Sequence, residues 1–170
     1  MTTWTLDDIK ANGFKGFIEI ADLRRDNKII PADRGVYLIL KTDRPHKFLK
    51  IGTGGHFKKK NPNVDISVLN DNWVDNSIVI YIGQAGGIRN GKWSDSNLRE
   101  RLNKYFDFGI GKPVGHWGGR LIWQIDGNDR LIVCWKELPN KIKDPCLEES
   151  QLIEKFKTTF GRRPFANLRD

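Results

Sequence analysis

The chain is expected to fold as an α+β domain, and three observations carry that expectation. Two compact apolar runs, GVYLIL at Gly35–Leu40 and IVIYIG at Ile78–Gly83, have the length and β-branched content of buried strands. Two later segments, one entered near Asp95 and one at Asp144, repeat apolar residues at helical spacing. The chain has 170 residues, 38% hydrophobic and 29% charged, a size that buries one core without disulfides or a structural metal.

Each element follows from local chemistry. Thr5 with Asp8 three positions on predicts a capped short helix ending near Gly13. Phe14–Leu23 alternates loosely, and Arg24–Asp33 reads as a basic loop closed by Pro31, so that residues 1–33 form an N-terminal extension. In Gly35–Leu40, Val36, Leu38 and Leu40 share one face and Tyr37 and Ile39 the other. Residues 42–77 turn polar, with Pro45, Pro62, Gly52, Gly54 and Gly55, and read as an insertion with one short strand near Lys47–Ile51. Its glycines lack the GKS or GKT of a phosphate-binding loop, so a flexible basic loop is the favoured reading.

In the second strand, Val79, Tyr81 and Gly83 are placed on one face. A glycine-rich loop, Gln84–Asp95, leads to a helix capped by Asp95 or Ser96, with Leu98, Leu102, Tyr105 and Phe106 inward, Arg101 at the edge of that stripe and Arg99 at the opposite edge. Asp107–Gly119 is read as a surface loop in which His116 is exposed. Arg120–Ile125 and Leu131–Trp135 are read as a hairpin about Asp126-Gly-Asn-Asp, which brings the sheet to at least four strands. Asp144-Pro145 opens the last helix, Leu152, Ile153, Phe156 and Phe160 form its stripe, and Glu149 lies beside that stripe. Gly161 ends it, and Arg162–Asn167 continues as an extended basic tail.

Charge narrows the partner. Lys and Arg total 29 against 21 Asp and Glu, a net charge of +8, which favours a polyanion and puts nucleic acid first. Cys134 and Cys146 have no CxxC spacing and no histidine at zinc-ligand distance, so both are expected as reduced thiols. The N-terminus lacks a secretory pattern and no apolar run approaches the ~18 residues of a membrane span, so a cytoplasmic protein without membrane contact is expected.

The ordered set Gly35-Val-Tyr37, Tyr81-Ile-Gly83, Asn97-Leu-Arg-Glu-Arg101-Leu102, Tyr105-Phe106, Glu149 and Pro164-Phe-Ala-Asn167 resembles the GIY-YIG nuclease superfamily. The resemblance covers residues 34–41, 78–106 and 131–168, and implies a small central antiparallel sheet flanked by helices, with residues 34–170 as the nuclease domain. It also implies a DNA endonuclease that uses one divalent ion, Mg²⁺ or Mn²⁺, for in-line attack of water on a phosphodiester.

The implied roles suit that chemistry. Tyr37 and Tyr81 match the motif tyrosines, and either would orient or deprotonate the water; a phenol's pKa of about 10 must fall for base work. Arg101 matches the arginine whose planar fork holds the phosphate, with Arg99 as the alternative. Tyr105 matches a position one turn later. Glu149 matches the metal-binding glutamate, with Glu148 as the alternative, and Asn167 closes the site by hydrogen bonding. Lys58, Lys59, Lys60, Arg89, Lys92, Arg99, Lys104, Arg162 and Arg163 are the candidate nucleic-acid contacts.

The chain departs from the family pattern in three places. Residues 42–77 separate the half-motifs, the link from Gly83 to Arg101 is long, and Gln84 stands where repair members carry lysine. A catalytically weak or inactive nucleic-acid-binding module on the same fold is therefore the alternative expectation. A homodimer would suit double-strand cutting.

Overall fold

The structure, a computed structural model, describes residues 1–43 and 45–168. Its centre is a four-stranded antiparallel sheet in the order β1-β6-β2-β3, built from β1 (Lys15–Glu19), β2 (Gly35–Leu40), β3 (Val79–Ala85) and β6 (Ile132–Glu137). A separate hairpin pairs β4 (Ile88–Arg89) with β5 (Lys92–Trp93). The helices are α1 (Leu6–Ala11), α2 (Ile20–Arg25), α3 (Ile66–Asn72), α4 (Leu98–Gly109) and α5 (Pro145–Phe160). Among the described residues no helix is long and apolar enough to cross a membrane.

β2 is buried along its whole length because it lies between β6 and β3 and both of its faces are covered. Val36, Leu38 and Leu40 join the core that holds Ile9 of α1 and Leu152, Ile153 and Phe156 of α5. Tyr37 and Ile39 join the core that holds Leu23 of α2 and Leu98, Leu102 and Tyr105 of α4. The predicted alternation of this strand is therefore observed.

The expectation for β3 is corrected. Ile39 pairs with Tyr81 but Leu40 pairs with Val79, so Ile80 is an extra residue and the strand bulges there. The bulge puts Val79 on the α5 side and both Ile80 and Tyr81 on the α4 side, so Val79 and Tyr81 do not share a face.

Helix ends follow the capping rules. Thr5 accepts a hydrogen bond from Asp8 N and starts α1 as expected. The N-cap of α4 is Asn97, whose Oδ1 accepts from Glu100 N at 2.9 Å, in place of Asp95 or Ser96. Asp144 caps α5 with Pro145 in the first turn, and Gly161 closes it at φ 72°.

Four further expectations are corrected. Arg24–Asp33 is not a plain loop, since α2 runs to Arg25 and a 3-10 turn covers Asn27–Ile29. Asp107–Gly109 completes α4, and His116 is 1% exposed, so 107–119 is not a surface loop throughout. Arg120–Gln124 is a 3-10 helix and makes no hairpin with β6; the fourth strand of the sheet is β1. Lys47–Ile51 forms no strand, only an isolated bridge from Phe48 to Ile125, while residues 66–72 of the same insertion are helical.

The C-terminal segment is docked, not trailing. Phe165 and Ala166 are buried, and Ala166 N donates to Ile80 O at 2.9 Å. It covers part of β3, the edge strand, whose backbone groups would otherwise face outward. Both cysteines are free thiols, as expected.

Candidate functional site

The site begins at Gly83 of β3. Tyr37 pairs with Gly83 across β2 and β3, and a Cβ at position 83 would lie 2.4 Å from the ring carbon Cζ of Tyr37. The missing side chain is what lets the Tyr37 ring lie across β3 and approach Tyr81, with ring centroids 6.0 Å apart.

α4 supplies the next layer. Its buried stripe turns Tyr105 under Tyr81, the rings stacked at 6.0 Å and 20°. The Tyr105 hydroxyl donates to Gly119 O at 3.5 Å, and the side chain is fully buried behind the site. Arg101, one residue before the inward Leu102, falls at the edge of the stripe and reaches the cavity.

α5 brings the carboxylate. Asp144 Oδ1 accepts from Cys146 N at 3.0 Å and from Ile88 N at 2.9 Å, so one side chain starts α5 and pins the hairpin that carries Arg89. Glu148 is taken by Lys136 at 2.8 Å, whereas Glu149 lines the cavity. That geometry separates the two glutamates that sequence left as alternatives.

These elements enclose a cavity of about 450 Å³ lined by Tyr81, Arg89, Arg101, Trp117, Gly118, Arg120, Glu149 and Asn167, among others. A larger groove of about 600 Å³ between α2 and α4 contains none of the predicted catalytic residues. The cavity carries three arginines against one carboxylate, so it is built for an anion. Tyr37 and Tyr105 lie in the wall behind it. Asn167 reaches the cavity, but its amide is held by β3: Oδ1 accepts from Ile82 N at 2.9 Å and Nδ2 donates to Ile82 O at 2.8 Å.

Electrostatics define what each group can do. Burial pushes the Tyr37 and Tyr81 phenols above their ordinary pKa, and the Arg101 guanidinium works against that rise without reversing it. Both are neutral near pH 7. The Tyr37 hydroxyl and Arg101 Nε are buried with no well-aligned hydrogen bond, although the guanidinium lies close enough to act on the phenol. Burial raises the Glu149 carboxyl to about 7, against the opposing charges of Arg101 and Arg89.

Glu149 has no hydrogen bond or ion pair among the described residues, and a half-buried carboxylate in that state is suited to a cation. Among the described residues no group of three or more His, Cys, Asp or Glu converges as a metal site. One carboxylate still fits Mg²⁺, which keeps several waters and completes its shell with substrate phosphate oxygens. It fits less well with a metal that needs a full set of side-chain ligands.

The remaining candidates scatter. Arg89, Arg101 and Lys104 line an adjoining recess of about 150 Å³ with Ser94 and Ser96, while Lys92 is exposed on β5. Arg99 donates to Ile30 O at 2.7 Å and Lys28 O at 3.1 Å, which engages it in holding the N-terminal segment. Lys58, Lys59 and Lys60 are exposed on the insertion. Arg162 donates to Asp71 O, and with Arg163 it lines a separate groove of about 300 Å³.

Trp117, Gly118 and Arg120 were not anticipated. The available signal was an aromatic and a basic residue flanking Gly118-Gly119, a pattern that lets backbone approach a ligand closely. Gln84 donates to Cys146 Sγ at 3.3 Å and accepts from Gly87 N at 3.2 Å, and it adds no cation to the site. Comparisons with family models, curated proteins and solved structures found no match for this chain.

Proposed function

We propose that this chain is a Mg²⁺-dependent DNA endonuclease of the GIY-YIG kind, hydrolysing phosphodiester bonds by in-line attack of water. The observation that carries the reading is the convergence of Tyr81, Arg101, Glu149 and Asn167 on one cavity, with Tyr37 directly behind Tyr81. These residues come from β2, β3, α4, α5 and the C-terminal segment, and the motif order alone does not require them to meet.

Arg101 is the group that grips the scissile phosphate: its charge is permanent and it faces the cavity. Tyr81 lines the cavity and, as a neutral phenol, orients the attacking water by hydrogen bonding, while the neutral, buried Tyr37 positions Tyr81 from behind; neither is a standing base. Glu149 would hold the divalent ion, which supplies charge stabilisation at the phosphate and leaving oxygens. Asn167 locks the C-terminal segment to β3 and so keeps one wall in place.

The test is cleavage of plasmid or branched DNA by the purified chain with Mg²⁺, leaving 5′-phosphate and 3′-hydroxyl ends. Arg101→Ala and Glu149→Ala should each lower the rate by a factor of about 10² or more. Persistent cleavage in both variants would overturn the assignment.

A second reading is a DNA-binding module that does not cut. It is favoured by Gln84, whose amide is engaged by Cys146 and Gly87 and leaves the family's lysine without a substitute on that strand. Salt-dependent DNA binding with no cleavage in Mg²⁺ or Mn²⁺ would select it.

A further inference from the structure

We propose that Arg120, held against Trp117, forms a second phosphate subsite that grips a phosphodiester flanking the scissile one on the bound DNA strand. This rests on the nuclease reading above and adds a contact from the part of the chain that lies outside the family resemblance.

The first observation is a free cation in the right cavity. The Arg120 guanidinium lines the same space as Arg101 and Glu149, yet among the described residues it has no ion pair, and its buried Nε has no hydrogen-bond acceptor. A half-buried guanidinium whose buried Nε lacks an acceptor is stabilised by a bound anion, and its planar donors match a phosphate.

The second is separation from the reacting groups. The cations acting on Glu149 are Arg101 and Arg89, whereas Arg120 responds only to its own burial. Arg101 is thus the phosphate ligand beside the tyrosines and the carboxylate, and Arg120 serves a different point on the ligand. A cavity of about 450 Å³ has room for more than one phosphate group.

The third is rigidity. The guanidinium stacks over the Trp117 ring at 4.7 Å, so that face of the indole is filled by the arginine and is closed to a base. Gly119, at φ 75°, starts the 3-10 helix that bears Arg120, and its carbonyl receives the Tyr105 hydroxyl. A Cβ on Gly118 would lie 3.2 Å from the Tyr81 hydroxyl, and one on Gly115 would lie 3.2 Å from Phe57 of the insertion. The loop is therefore fixed between the catalytic tyrosine and the insertion, which pre-organises the subsite.

The experiment measures binding of a short fluorescein-labelled DNA duplex by anisotropy across a salt series, in EDTA so that no cleavage occurs. Arg120→Gln should lower the slope of log K against log salt by about 0.9 and weaken binding about tenfold, while Arg120→Lys keeps the slope. A duplex carrying one neutral methylphosphonate beside the mapped cut should cost the native chain the same factor and cost Arg120→Gln nothing further. If Arg120→Gln keeps the native slope while Arg101→Gln loses it, the subsite is wrong and the nuclease reading stands. A native chain that binds no DNA removes both. Should Arg120→Gln fail to fold, indifference of the native chain to methylphosphonates at every flanking position would still overturn the subsite.

Discussion

His116 shows how far burial can reset a single side chain. It sits in GKPVGHWGGR, a context that reads as solvent-exposed, yet it is 1% exposed with both ring nitrogens unpartnered and its ring 4.6 Å from Tyr105. Burial first, and the nearby Arg101 charge second, hold its pKa well below 6.5. As pH falls below 6.5 the unfolded chain takes up a proton that the folded chain refuses, so stability drops with pH. Glu149 acts in the opposite sense: with its carboxyl raised from 4.5 to about 7, it costs stability as pH rises through that window. Because Glu149 is common to both chains, comparison with His116→Phe isolates the histidine. Urea denaturation at pH 8 and pH 5 should show the variant gaining on the native chain at pH 5. Parallel stabilities across that range would contradict the depressed pKa.

At the scale of elements, β2 and β3 explain why one strand was legible and the other only partly. β2 is an unbroken central strand, so period-2 alternation in GVYLIL maps directly onto its two cores. β3 carries the same apolar composition, but its bulge at Ile80 leaves no trace in composition because isoleucine suits either face. The tyrosines still meet, since the bulge lies before Tyr81 and the register from Tyr81 to Ala85 is regular. α4 and α5 were legible because their apolar stripes are local, as is the Asp144-Pro145 cap of α5, and Arg101 and Glu149 follow from their offsets to those stripes; the α4 cap was missed by one or two residues because Asp95, Ser96 and Asn97 are all good capping residues. The side chain that sequence cannot weigh is the absent one at Gly83. Gly83→Ala would put a methyl 2.4 Å from the Tyr37 ring, which is fully buried and has no open space to swing into. The expected cost is about 1–3 kcal/mol of stability; on the proposed nuclease function, cleavage should fall further than stability explains, because Tyr37 is pushed from Tyr81. A folded Gly83→Ala protein with native cleavage rates would show that the tyrosine pair does not position the reaction.

Across the whole molecule, the poorly legible parts are those whose structure depends on distant partners. RLIWQI reads as a strand by composition, but Leu121, Ile122, Trp123, Gln124 and Ile125 are all buried, and periodicity cannot distinguish forms when every position faces inward. Residues 42–77 read as a loose insertion for a related reason: the group that orders them lies about sixty residues away. Gln124, 1% exposed, accepts from Val64 N at 2.8 Å and donates through Nε2 to Val64 O at 3.0 Å and Leu49 O at 3.2 Å. Its amide thus acts as the backbone partner that the insertion lacks. Gln124→Leu keeps the approximate volume and strands those three groups; at about 1–3 kcal/mol for an unsatisfied buried group, a loss near 3 kcal/mol is expected in urea denaturation. Hydrogen exchange should then quicken first in the insertion and next in the loop that Phe57 braces, and with it the setting of Trp117 and Arg120. Unchanged exchange in that loop would mean the insertion is attached to the domain without supporting the cavity wall.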